Sequence, residues 1–144
     1  MRRRPLVLVA GIGCLVLGSV PLLAHHAFSS EFDANRPVRL TGVVTKMEWV
    51  NPHAWIHIDV KKPDGTIENW AVEGGTPNTL IRRGLRKEDL PAGAEITVDG
   101  YQAKDGGPRM SGRNLSFSDG RALFLGSTGT GAPTDGTDPS EPPK

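Results

Sequence analysis

Ala54-Trp55-Ile56-His57-Ile58-Asp59-Val60 alternates at every step between an aliphatic residue and one that bears a ring or a charge. Successive side chains of a β-strand point to opposite faces. Ala54, Ile56, Ile58 and Val60 therefore share one face, and Trp55, His57 and Asp59 share the other. The period of two reads as a strand with the aliphatic face in a core and the ring-bearing face exposed or half exposed.

The flanking sequence extends this into a β-rich domain. Upstream, Val38 to Val50 is rich in β-branched residues, with Gly42 marking a bend or bulge in a long first strand. Asn51-Pro52 breaks it at a corner, because proline cannot donate to a central ladder. Downstream, Asp64-Gly65 is a hairpin turn pair, and Ile67 to Glu73 returns as the third strand. Gly74-Gly75 ends that strand. Thr76 then caps a helix with Pro77 in its first position and Gly84 as its stop, and Leu80, Ile81 and Leu85 are expected to face the core. Ala94–Ala103 and Met110–Phe117 are strands four and five, and Asp119-Gly120 turns into a final segment, Ala122–Leu125. The fold expected is all-β: a small five- to six-stranded OB-like barrel with one short helix between strands three and four. An unclosed β-sandwich is the other arrangement this order permits.

The ends differ from this middle. Arg2, Arg3 and Arg4 precede an almost wholly apolar or small stretch, Leu6 to Leu23, and Ala24 supplies a small residue at a cleavage position. That layout is a signal peptide over residues 1–24 and implies a periplasmic or secreted protein. An uncleaved anchor is the competing reading, since the run approaches the ~20 apolar residues that span a bilayer. Three glycines and Pro21 favour cleavage. Cys14 lacks the leucine expected before a lipidated cysteine, and the arginines lack the rest of a twin-arginine motif. Residues 25–126 form the domain, with 25–37 as an irregular lead-in anchored by Phe28 and Phe32. Residues 127–144, made largely of Gly, Thr, Pro, Ser and Asp, read as a disordered tail.

Composition narrows the function. The 144 residues hold 17 basic and 16 acidic side chains. Setting aside the three arginines of the leader leaves 14 basic against 16 acidic, which excludes the basic footprint nucleic-acid binding needs. The single cysteine lies in the leader, so the domain has no thiol nucleophile and no disulfide. No Gly-x-Ser-x-Gly motif is present, and no carboxylate pair is spaced for acid/base work. The domain is read as non-enzymatic.

Two sets of residues remain as candidates. Trp49, Asn51, Trp55, His57, Asp59 and Trp70 gather around strands two and three, whose outer face is the habitual ligand site of OB barrels. Aromatic rings there stack on flat or sugar-like ligands; packing and barrel-mouth filling are the structural alternatives. The second set is histidine: His25 and His26 beside the expected cleavage site, His53 at the corner and His57 on strand two. Neutral imidazole suits copper and zinc, and a histidine exposed at a new N-terminus chelates through its ring and its amine together. His53 and His57 are four apart, roughly 13 Å along a strand, so the two cannot share one ion unless the chain turns. Copper is thus the one cofactor the sequence suggests, through His25, His26 and His53, and none is required.

The chain resembles a family of small exported bacterial proteins catalogued as a domain of unknown function. The likeness is carried by Ala24-His25-His26-Ala27-Phe28, Glu31-Phe32-Asp33, Leu40-Thr41-Gly42-Val43-Val44, Asn51-Pro52-His53-Ala54-Trp55, Pro77-Asn78 with Leu80 and Arg82-Arg83-Gly84, and Asp119-Gly120-Arg121. It covers roughly residues 24 to 132 and implies an exported β-barrel with no assigned reaction. The function expected is an exported binding module that takes a small ligand or a periplasmic protein partner on the outer face of strands two and three. The alternative is a periplasmic copper-binding protein that uses its N-terminal histidines.

Overall fold

The computed structural model describes residues 28–133 and residue 136. The leader, His25 and His26 lie outside the described residues. Six strands form one sheet: β1 (Phe32–Glu48), β2 (Trp55–Lys61), β3 (Ile67–Glu73), β4 (Glu95–Ala103), β5 (Arg109–Phe117) and β6 (Ala122–Phe124). An α-helix, α1 (Pro77–Arg82), and a 3-10 turn at Lys87–Asp89 connect β3 to β4, and residues 28–31 ahead of β1 are also helical.

The sheet closes on itself. β1 pairs antiparallel with β2 through Val43–Glu48 and with β4 through Phe32–Val43, so one long strand serves two neighbours. β2 pairs with β3, β3 pairs in parallel with β5, and β5 pairs antiparallel with β4. The ring is β1-β2-β3-β5-β4-β1, a small all-β barrel with its helix between β3 and β4, as expected. Closure covers the edge of β3 at Ala71–Glu73, where β5 pairs with it, and β6 adds to β5.

Strand β2 is two-faced. Ile56 and Ile58 are fully buried, while Trp55, His57 and Asp59 are half-buried on the other side. The core combines them with Val44, Val72, Ile96, Val98, Met110 and Leu115 from the other strands. Leu80, Leu85, Leu90 and Leu125 are buried in the same core. Burying each such side chain is worth about 1.5–3 kcal/mol.

Three local expectations change. Strand β1 begins at Phe32 rather than Val38, because Phe32 and Pro37 find partners on β4 at Ala103 and Tyr101, on either side of a register shift. Gly42 is required by close approach: a Cβ there would sit 2.7 Å from the Asp59 carbonyl oxygen, and the irregularity in the β1–β2 ladder falls between Val44 and Lys46 instead. Ile81 is exposed while Leu80 is buried. Adjacent helical residues lie about 100° apart, and a six-residue helix turns only one side to the barrel.

A second, smaller cluster lies beside the main core. Phe28 and Phe32 pack with Ala103 and Tyr101, and Ala132 joins them. Phe28 meets Tyr101 edge-on with ring centroids 5.6 Å apart. The Glu31 carbonyl accepts from the Lys104 amide at 2.9 Å, and the Arg109 guanidinium donates to the Glu31 carboxylate at 3.0 Å. The lead-in is thereby fastened across β4 and β5.

Candidate functional site

The register of three strands sets one row of side chains. Trp55 of β2 lies opposite Glu73 of β3, and Glu73 lies opposite Ser111 of β5. All three are half-buried, on the face away from Ile56 and Val72. Phe28, Glu31 and Phe32 of the lead-in border this row, and Ser127 and Thr130 border it beyond β6. Together with His53 and Gly74 they line a cleft of about 120 Å³.

His53 reaches the cleft because its bend is tied to the end of β3. The Ala54 amide donates to the Gly75 carbonyl at 3.0 Å, and the Gly74 amide donates to the Ala54 carbonyl at 2.8 Å. This places His53 Nδ1 3.2 Å from Glu73 Oε1, 3.3 Å from the Gly74 carbonyl oxygen and 3.4 Å from Ser127 Oγ. A carbonyl oxygen only accepts, so the contact with Gly74 puts the ring proton on Nδ1. In the neutral ring the lone pair is then on Nε2.

Glu73 is the buried carboxylate of the cleft, its side chain 15 % exposed. Burial pushes its pKa above the ordinary 4.5; His53 opposes that shift, while the negative charge of Glu31 adds to it. The cleft therefore holds a desolvated acid against an oriented imidazole, with aromatic walls around them.

The candidate residues divide between this cleft and other places. Trp55 and His53 belong to it. His57 and Asp59 share Trp55's face but serve a surface network: His57 Nε2 donates to Glu48 Oε2 at 3.3 Å, and Asn69 Nδ2 donates to Asp59 Oδ1 at 2.9 Å. Glu48 is held below the ordinary carboxylate range first by its hydrogen bond from Lys46, then by that from His57. Trp49 packs against the main core and lines a separate pocket with Ile81 and Arg86. Asn51 stands exposed on the bend, where the Asn51–Pro52 peptide is cis.

Trp70 does not stand on the outer face. It lies opposite Ile58, so it shares the inward face of the sheet and is buried in the core. Its indole Nε1 donates to Glu68 Oε2 at 2.9 Å, which satisfies the polar end of a ring otherwise buried in the core.

Several residues of the cleft carry no chemical signal in the sequence. Glu73 is one carboxylate among sixteen acidic residues until the β2–β3 register sets it beside Trp55. Ser127 and Thr130 fall in the stretch assigned to the tail, yet residues 127–133 lie against the barrel: Ser127 Oγ meets His53, and Arg113 donates to the Pro133 carbonyl at 3.2 Å. Arg83 positions that stretch from the end of α1. Its Nη1 donates to the Gly126 carbonyl at 2.6 Å and the Phe124 carbonyl at 3.2 Å, and its guanidinium lies 4.7 Å from the centre of the Phe124 ring. The Arg82-Arg83-Gly84 motif was the available signal for it.

Among the described residues no group of three or more His, Cys, Asp or Glu side chains is placed to hold a metal ion, and no helix is long and apolar enough to cross a membrane. No curated protein and no solved structure matches the chain. A family model matches residues 13–112, which includes the His53 bend, the Trp55–Glu73–Ser111 row and the lead-in. On that match, the chain belongs to the family of unknown function DUF6152.

Proposed function

We propose that the domain is an exported, non-enzymatic binding module that holds a small ligand in the cleft between the lead-in and the β2–β3–β5 face. The observation that carries the reading is the His53–Glu73 pair: a buried carboxylate and an imidazole with a defined tautomer, side by side in a cleft. Burying a carboxylate costs stability unless something compensates it. Glu73 and the Ser127 hydroxyl both face His53 Nδ1, so the imidazole does not stand between acid and hydroxyl as a proton relay, an arrangement that fits recognition better than turnover. At about 120 Å³ the cleft is smaller than the ~300–1,000 Å³ pockets that take drug-sized molecules. That size favours an ion or small solute over a protein partner. The leader supports periplasmic or extracellular placement, and the acid–base balance argues against nucleic acid.

The test is a thermal-shift panel on the exported protein, with its N-terminus defined by intact mass. The probes are copper(II), zinc(II), calcium, phosphate, acetate, ethylamine and glucose. A ligand at 100 times its dissociation constant stabilises by about 2.7 kcal/mol, a shift of several degrees for a domain this size. Stabilisation by one probe that is lost in both Trp55→Ala and Glu73→Gln supports the reading. An equal response in all three proteins, or none across the panel, overturns it.

A further inference from the structure

The cleft pairs a buried acid with aromatic walls. Glu73 Oε1 is held 3.2 Å from His53 Nδ1, and the other carboxylate oxygen makes no hydrogen bond among the described residues. Phe28, Phe32 and Trp55 line the same cleft. The two phenylalanines are fixed by each other, with ring centroids 5.9 Å apart, and by Tyr101, which Phe28 meets edge-on at 5.6 Å. Walls set in place before a ligand arrives lower the ordering cost of binding. An aromatic ring carries a negative face, and a cation brought close to that face is attracted to it.

The charges around Glu73 leave room for such a cation. The groups facing it are His53 on the bend, Glu31 of the lead-in and Arg109 of β5. Arg109 is shared between two other carboxylates, Glu31 at 3.0 Å and Asp105 at 3.3 Å. Negative groups therefore prevail around the cleft, which repels an anion. A metal ion is a poor match as well. Aromatic carbon is not among the nitrogen, oxygen and sulfur ligands that proteins offer metals, and among the described residues no group of three or more His, Cys, Asp or Glu is placed to hold one. An organic cation satisfies the carboxylate and the rings together.

We propose that the ligand of the cleft is a primary alkylammonium ion, its N–H groups bonded to the Glu73 carboxylate and the Ser111 and Thr130 hydroxyls and its charge set against the aromatic walls. The inference rests on the reading of the cleft as the binding site and names the class of ligand. The acceptors select a primary over a quaternary ammonium, since an ion without N–H groups leaves a desolvated carboxylate unbonded. A cavity of ~150 Å³ holds one benzene ring, so about 120 Å³ admits the ammonium head and a few carbons. A free amine and a lysine side chain present the same head. The ion binds ionised Glu73. Because burial raises the pKa of that acid, affinity falls as pH drops through the raised value, and binding in that range releases a proton.

The experiment is calorimetric titration of the exported protein, at constant ionic strength, with ethylammonium, Nα-acetyl-lysine amide, tetramethylammonium and ethanol. One ethylammonium or one lysine derivative is expected to bind per chain, and the tighter of these two primary amines identifies the source. Ethanol lacks the charge and tetramethylammonium lacks the N–H groups, so each binds at least about tenfold more weakly. Glu73→Gln keeps the shape of the side chain, weakens binding of the amine at least about tenfold, as losing a charged hydrogen bond does, and flattens the decline toward low pH. Trp55→Leu keeps an apolar wall and weakens binding about 2- to 30-fold, the loss of a cation–π contact. His57→Ala, outside the cleft, leaves it unchanged. Ethanol or tetramethylammonium binding as tightly as the primary amines, amine binding unaltered by Glu73→Gln, or no amine binding at millimolar concentration each overturns the proposal, and the ligand comparison is read on the parent protein whether or not a variant folds. If any of these results is obtained while another probe of the panel binds in a Trp55- and Glu73-dependent way, the ammonium assignment fails and the cleft remains the binding site. If no probe depends on the cleft, both fail.

Discussion

His53 Nδ1 and Glu73 Oε1 lie 3.2 Å apart, although nineteen residues, a hairpin among them, separate them in the chain. The bend before β2 and the end of β3 meet because β2 and β3 pair along their whole length, from Trp55↔Glu73 to Lys61↔Ile67. The strand pairing that builds the core on one face therefore builds the cleft at the end of the other. Four expectations follow from this arrangement and from the packing around it.

Glu73 makes stability depend on pH. Its folded-state pKa is raised by burial above the ordinary 4.5, so folding favours the protonated acid. Its favourable contribution is complete below that ordinary value and is lost as pH rises through the folded-state value. Glu73→Gln removes this dependence. Urea unfolding at pH 4 and pH 7 is expected to show the variant gaining on the parent at the higher pH; an advantage at pH 4 that disappears at pH 7 would contradict the assignment.

The two faces of β2 predict unequal costs for neighbouring truncations. Ile58 is fully buried, whereas His57 is half-buried beside Glu48. Ile58→Ala should cost about 2–5 kcal/mol. His57→Ala removes a partly exposed hydrogen bond to Glu48 and should cost no more than about 1 kcal/mol. Chemical denaturation of both variants measures the difference, and equal costs would mean the strand is not two-faced.

Gly100 admits no side chain. A Cβ there would lie 2.1 Å from the Ser111 carbonyl oxygen and 2.6 Å from the Met110 side chain, inside the β4–β5 ladder. Gly100→Ala should destabilise by about 1–3 kcal/mol or more, as overpacking against backbone does. Gly107→Ala is the comparison: its nearest neighbour, at 3.1 Å, is the end of the flexible Asp105 side chain. The melting temperature should fall markedly in the first variant and little in the second.

Arg83 links the helix to the wall of the cleft. Its hydrogen bonds to the carbonyls of Phe124 and Gly126 hold the chain just before Ser127. Arg83→Ala is expected to cost about 1–3 kcal/mol, the range for losing charged hydrogen bonds. Hydrogen exchange should rise at residues 125–127 in particular. Arg83→Lys should recover little, since one ammonium does not reproduce the planar fork and ring contact of the guanidinium. Full recovery by lysine would reduce the residue to a point charge.

How far the sequence reached can be judged from single residues. The alternation from Ala54 to Val60 was sufficient to sort Ile56 and Ile58 from Trp55 and His57, because a strand's side-chain period is two whatever it pairs with. The Thr76-Pro77 start of α1 was equally legible: Thr76 Oγ1 accepts from the Thr79 amide at 3.2 Å, a contact made within four residues. Ile81 was misplaced because the direction a short helix faces is set by what it packs on. Trp70 was misplaced although it shares its parity in strand three with Val72 and not with Asn69 and Glu73, and the pairing with Ile58 makes that inward face plain.

What the sequence determined alone was therefore local: the strands, the turns, the cap, the inward face of β2, and the histidines and tryptophans that invited a binding site. The tertiary structure decided which of these meet. Contacts between residues far apart in the chain depend on register and barrel closure, and these follow from how all the strands bury their apolar faces together. For that reason Glu73, Ser111 and Ser127, ordinary residues in their own neighbourhoods, line one cleft with His53, while Trp70 and His57 lie outside it.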